Sequence, residues 1–241
     1  MNKALYAAAS GMAAQQQNLE IISENLSNAD VAGFKGAQAT FSDIAGPGGA
    51  LGTTELGTHT VFTQGKLMRS GGPFDLAIDG PGFFTVIDDR GRRAYTRDGE
   101  FARAADGTLR NAQGWRLEGV RIPGDALSAD VAQDGTVTLT GPKGKSVCGR
   151  IRLTEFAAPD YLQSAGGTLF FATHASDKPH AIDAGATGGP AIKFGMLEKS
   201  NVTIIEAMMQ ILAAQRAYEA NAKGVQAADE MMRIADNLSR G

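Results

Sequence analysis

LEKSNVTIIEAMMQILAAQRAYEANAKGVQAADEMM, residues 197–232, sets the architecture. Leu197, Ile204, Ile211, Tyr218, Val225 and Met232 fall seven residues apart along it. A strict seven-residue apolar repeat keeps one stripe of a helix against a partner helix, as in a coiled coil. Thr203 and Glu206 make an S/T-x-x-E capping box, Asn201 is an alternative cap, and no proline interrupts the rest of the chain. A helix running from near Ser200 to Leu238 is about 60 Å long at ~1.5 Å per residue, more than a small β-body can bury. Alanines at 207, 213, 214, 217, 220, 222, 227 and 228 leave little bulk, so a neighbouring helix can approach closely.

The N-terminal end carries a shorter seam. Leu5, Met12, Leu19 and Leu26 repeat every seven residues, with Ala8, Gln15 and Ile22 three residues after the first three. The segment Asn2–Asn28 is rich in Ala, Gln and Leu, with Gly11 its weak point, and Gly33 is a candidate breaker after the last turn. The two helices are expected to pair with each other and to leave further surface for neighbours.

Between them the period changes. Gly46–Gly57 (GPGGALGTTELG) has the composition of a loop. From Pro73 onward short apolar alternations are cut by turns, four of them Asp-Gly pairs at Asp79, Asp98, Asp106 and Asp134. Asp-Gly supplies the two left-handed positions of a tight hairpin turn, so antiparallel pairing is expected. The fold class is therefore α+β, an antiparallel β-rich centre flanked by terminal helices that pair as a coiled coil. Its expected divisions are 1–42 (helix and turn), 43–72 (linker), 73–195 (β-rich body) and 196–241 (helix).

Composition narrows the function. The 241 residues are 43% hydrophobic and 20% charged, with a net charge of −3, which argues against nucleic acid as a main partner. Cys148 stands alone, so no internal disulfide can form. The first thirty residues do not read as a cleaved secretory signal, because Gln15, Gln16, Gln17 and Glu20 break the apolar run. No apolar stretch is long enough to insert into a membrane. Nucleophile-elbow, H-E-x-x-H and phosphate-loop patterns are missing, and His59, His174 and His180 are scattered, so we expect no catalytic, metal or cofactor site.

Four blocks resemble one family. They are Ser10-Gly11-Met12 through Asn25-Leu26-Ser27-Asn28 to Gly33-Phe34-Lys35; Phe74–Phe84; Tyr95–Phe101 continuing to Asp106-Gly107 and Gly114; and Leu197–Val202 followed by Gln215-Arg216-Ala217-Tyr218-Glu219-Ala220-Asn221. Together they resemble the bacterial flagellar axial proteins of the rod and hook. Val31-Ala32 departs from the Thr with Pro or Asn that many members carry there. The resemblance implies a structural subunit of the basal-body rod, made in the cytoplasm, exported by the flagellar type III apparatus and polymerised in the periplasm with copies of itself and other rod and hook subunits. A hook protein's larger outer domain has no room here. The short Phe41–Gln64 segment points to a proximal rod subunit, while the Q-R-A-Y-E run suits the distal type. The competing reading is a β-domain binding module that its helices merely oligomerise.

Six seam residues, each worth roughly 1.5–3 kcal/mol when buried, offer on the order of 10 kcal/mol. Association costs an estimated 4–15 kcal/mol, so one neighbour is marginal and several suffice.

Overall fold

The structure, a computed structural model, describes residues 3–46, 49–124, 126–142, 144–186 and 188–239. The chain divides into two compact units. One takes the residues up to Asn28, 37–61 and those from Val202 on; the other takes 29–36 and 62–201.

The first unit is helical with one β-hairpin. Helix α1 (Lys3–Ser27) and helix α2 (Ile204–Ser239) pack antiparallel: Gly11 lies against Asn221, Ala8 against Gly224, and Ile22 against Ala207 and Ala214. A Cβ on Gly11 would sit 2.8 Å from the Asn221 amide, so this crossing is close. At the start of α2 the Thr203 hydroxyl donates to Glu206 Oε2 at 3.3 Å and the Ala207 amide donates to Thr203 O; the two reciprocal side chain–backbone bonds of a capping box are not formed among the described residues.

Where the sequence reads a loop over Gly46–Gly57, the structure places a strand. Strands β1 (Ala37–Gly46) and β2 (Gly49–Thr60) pair antiparallel, from Ala37 opposite Thr60 to Gly46 opposite Gly49, with two bulges. Glycine content is a poor guide here, because the ladder is made by the backbone and threonines at 53, 54, 58 and 60 suit a strand. Gly52 is required for another reason: any Cβ there would run into the Ser10 hydroxyl of α1. That hydroxyl accepts from the Thr53 amide at 3.1 Å and so ties helix to hairpin.

The second unit is antiparallel β-structure throughout its described strands. Its largest sheet runs in the order Gln163–Gly166, Leu169–Phe171, Arg93–Thr96, Phe83–Ile87, Arg116–Arg121, Thr108–Arg110, Ala102–Arg103. Leu153–Glu155 joins it beside Phe83–Ile87, and His180–Ile182 pairs with Leu153–Glu155. A three-stranded sheet holds Ser128–Val131, Thr136–Gly141 and Gly144–Arg150. Two ribbons complete the unit: Leu76–Asp79 with Ala191–Phe194, and Leu67–Arg69 with Met196–Glu198. The period of two sorts the side chains. Phe84 and Val86 point into a core shared with Leu76, Ile78, Leu153 and Ile192, whereas Phe83 joins Tyr95, Phe156 and Phe170 in a separate aromatic cluster. Cys148 is half-buried against the main core.

The turns differ from expectation in kind. At Ala104–Thr108 and Ala132–Thr136 the amide of the glycine donates back three residues, and the first residue pairs with the fifth. Gly107 (φ 80°) and Gly135 (φ 82°) are left-handed, but the preceding Asp106 and Asp134 are not. These are three-residue turns ending in a glycine bulge rather than two-residue turns with two left-handed positions. The aspartates serve as acceptors instead: Asp106 Oδ1 takes the Thr108 amide and hydroxyl at 3.0 and 2.7 Å. Those bonds hold its carboxyl down at about 2. The same turn recurs at Asp88–Arg92 and Asn111–Trp115.

Candidate assembly surface and buried clasp

Two features of the structure bear on function: the helical hairpin and a buried ionic clasp. In the hairpin the seam is shifted from its expected position. Leu197 is not helical at all; it lies in the strand Met196–Glu198, opposite Met68. The sealed residues of α2 are the alanines three places along, Ala207 (2% exposed), Ala214 (3%) and Ala228 (1%). Close approach selects small side chains for the innermost row, so the larger row falls to its flank. Ile211 and Val225 are half-buried there, while Ile204, Tyr218 and Met232 are exposed. On α1, Ile22 is buried, and Leu5, Met12, Leu19 and Leu26 are half-buried.

A second row on α2 is far more open than the seam. Ile205 (76%), Met208, Met209 and Leu212 (55%) stand at helical spacing on one face, and Met231, Ile234 and Leu238 are exposed near its end. Among the motif residues, Gln215, Arg216, Tyr218 and Glu219 are exposed. Large apolar side chains left in water on one helix face mark an interaction surface.

Other motif residues have local structural work. Asn25 donates to Ala37 O at 2.7 Å and accepts the Ala37 amide at 2.8 Å, so its carboxamide mimics a strand partner and starts β1. Asn28 closes α1 by donating to Glu24 O.

The clasp is centred on Glu198, whose side chain is completely buried. Its Oε1 accepts from Lys35 Nζ at 2.6 Å and from the Gly65 amide at 2.8 Å. Arg97 Nη1 faces Oε2 at 3.6 Å, beyond hydrogen-bond reach but close enough to attract. Lys35 also donates to Thr63 O at 2.7 Å, and Arg97 to Gly80 O at 2.8 Å while lying over the Phe83 ring. Burial pushes the Lys35 ammonium below its usual pKa; Glu198 opposes that shift and the Arg97 charge adds to it. Burial also lowers Arg97, again against the pull of Glu198. Backbone bonds knit the same segments: Gly33 N to Glu198 O at 2.7 Å, Lys199 N to Lys66 O at 2.9 Å, and Gly36 N to Asn201 Oδ1 at 2.8 Å. Gly33 (φ +67°) and Gly65 each abut backbone, of Arg97–Asp98 and Lys199 respectively, where no Cβ fits.

Lys35 belongs to the G-F-K motif, but Arg97 and Glu198 are not among the site residues expected from sequence. The only local signal is a charge inside each motif block; what pairs with what is set by long-range topology.

Comparison with known proteins matches three consecutive segments. Residues 5–35 match the flagella basal body rod protein family, 77–139 the D1 domain of the flagellar hook protein FlgE/F/G family, and 194–238 the C-terminal region of the flagellar basal body rod FlgEFG proteins. The flagellar basal-body rod protein FlgG of Borreliella burgdorferi is 34% identical over 264 residues covering 100% of both chains. FlgG of Bacillus subtilis is 33% identical over 266 residues, again with full coverage of both. FlgF of Caulobacter vibrioides is 32% identical, covering 98% of this chain and 97% of its own.

The chain belongs to the flagellar basal-body rod protein family.

It is thus a structural subunit of the flagellar basal-body rod. Each of the three matched rod-family segments contributes one charge to the clasp: Lys35 from the first, Arg97 from the second, Glu198 from the third. No helix among the described residues is long and apolar enough to cross a membrane.

Proposed function

We propose that this chain is a non-enzymatic, FlgG-type subunit of the distal rod, exported by the flagellar type III apparatus and polymerised in the periplasm through the outward faces of its helical hairpin. The observation carrying the polymerisation reading is the open apolar row on α2, Ile205, Met208, Met209 and Leu212, set beside an alanine row already satisfied by α1. Within the hairpin, Leu19, Ile22, Leu26 and Ile211 hold the two helices together. Ile204, Tyr218 and Met232 are left to neighbours, flanked by Gln215, Arg216 and Glu219.

The distal assignment replaces the proximal one favoured by the short 41–64 segment. FlgG is a distal-rod protein, and the FlgG relatives align with this chain from end to end. In Caulobacter vibrioides, where both types can be compared, identity is 34% to FlgG and 32% to FlgF. Most of the 41–64 segment lies in the pairing of Ala37–Gly46 with Gly49–Thr60, which Ser10 ties to α1. The alternative, a β-domain binding module oligomerised by its helices, would use the same open row on α2; end-to-end similarity to rod proteins favours the rod subunit over it. Electron cryomicroscopy of isolated basal bodies tests the assignment: density for this chain in the distal rod supports it, and density confined to the proximal rod overturns it.

A further inference from the structure

The outer face of the large sheet carries a polar cleft that neither clasp nor hairpin uses. Strand Phe83–Ile87 pairs with Leu153–Glu155 along its first half and with Arg116–Arg121 along its second. A cleft of about 510 Å³ opens beside this fork, within the range of small-ligand sites. Alternation sends Phe84 and Val86 into the core, which leaves Thr85, its cross-strand partner Tyr95, and Thr154 on the cleft side.

The cleft is furnished for a polar guest. The Thr85 and Thr154 hydroxyls bond each other at 2.7 Å. The Tyr95 ring packs edge-on against Phe156, while its hydroxyl makes no hydrogen bond among the described residues and stays open to the cleft. Burial raises the phenol's pKa, so it stays a protonated donor. Arg152 is exposed on the wall and has no ion pair or hydrogen bond among the described residues. Arg150 adds a second guanidinium, 3.7 Å from Asp183, and Arg93 is held by Glu118 at 2.7 Å.

We propose that this cleft binds a sugar carboxylate, the carboxylate on Arg152 and the ring hydroxyls on the Tyr95 hydroxyl and Glu118. A guanidinium pairs with a carboxylate through charge-assisted hydrogen bonds. Glu118 selects for hydroxyl donors and repels a dianion, which disfavours phosphate. The volume accommodates one or two sugar rings.

The test is isothermal titration of the full chain with glucuronate, with glucose, inorganic phosphate and a glucuronate oligomer as the other arms. Saturable glucuronate binding is expected, with glucose and phosphate at least about tenfold weaker. Arg152→Ala should weaken glucuronate about tenfold or more, in line with loss of a charged hydrogen bond, while its unfolding midpoint is unchanged. Tyr95→Phe keeps the ring and should weaken binding several-fold. An oligomer that binds more tightly than the monomer assigns the carboxylate to a glycan chain; weaker binding assigns it to a free sugar acid. No saturable glucuronate binding, equal binding of glucose, tighter binding of phosphate, or an Arg152→Ala protein that binds like the parent overturns the proposal.

Discussion

Removing one member of the clasp should destabilise the β-rich unit by an amount that depends on which charge is left behind. Lys35→Met keeps the side chain's length and removes its ammonium. Glu198 then retains the Gly65 amide at 2.8 Å and Arg97 at 3.6 Å, so its charge is not abandoned. Breaking a buried pair costs ~3–5 kcal/mol, and with these two partners remaining we expect the lower end, about 3 kcal/mol. Glu198→Gln keeps the shape and the bond from Gly65, but leaves the Lys35 and Arg97 cations facing each other out of water. That places it at the upper end, about 5 kcal/mol. Trp115 is the sole tryptophan and packs against the core of this unit, so urea unfolding followed by its fluorescence reads the right event. With a urea m-value of ~2 kcal/mol/M, the midpoints should fall by about 1.5 M and 2.5 M. Losses under about 1 kcal/mol for both variants, or a greater loss for Lys35→Met than for Glu198→Gln, would show that Glu198 does not organise the cluster.

Other perturbations probe the surrounding structure. Gly65→Ala drives a Cβ into the Lys199 carbonyl and should cost more than about 3 kcal/mol by the same fluorescence assay, whereas Gly71→Ala, with nothing near, should be close to neutral. Burial lifts the Asp98 carboxyl from 3.8 to about 6, so the folded state takes up a proton more readily than the unfolded chain. The β-rich unit should therefore lose about 2 kcal/mol as pH rises from about 4 to about 6, and Asp98→Asn should flatten that fall in urea titrations. Ala214→Leu overfills the sealed seam and should cost about 1–3 kcal/mol, seen as earlier thermal loss of helical circular dichroism.

Much of this architecture is legible in residue order alone, and the failures share a cause. The β-rich centre between two pairing helices comes from periodicity, because burial on one face imposes a period on each element. Periodicity does not say which of two adjacent rows is innermost. Ala207, Ala214 and Ala228 take that place because the helices approach too closely for Ile211 or Tyr218. Leu197 fits the heptad by count, yet its backbone is claimed by a strand partner far earlier in the chain, Met68. Gly46–Gly57 has a loop's composition because composition is blind to a hairpin supported by a helix. The clasp is out of reach for the same reason. Glu198 and Lys35 are separated by 163 positions, and nothing local announces that they meet.

If the open row on α2 joins subunits into the rod, a single charge placed on it should stop assembly without unfolding the chain. Leu212, 55% exposed on that row and away from the α1 seam, is the position to replace with aspartate, with rod incorporation and swimming as the readouts. The expected result is a folded chain with the parent's Trp115 unfolding curve that fails to enter the rod and leaves cells non-motile. Normal incorporation and motility of Leu212→Asp would mean that the rod is held together by some other surface.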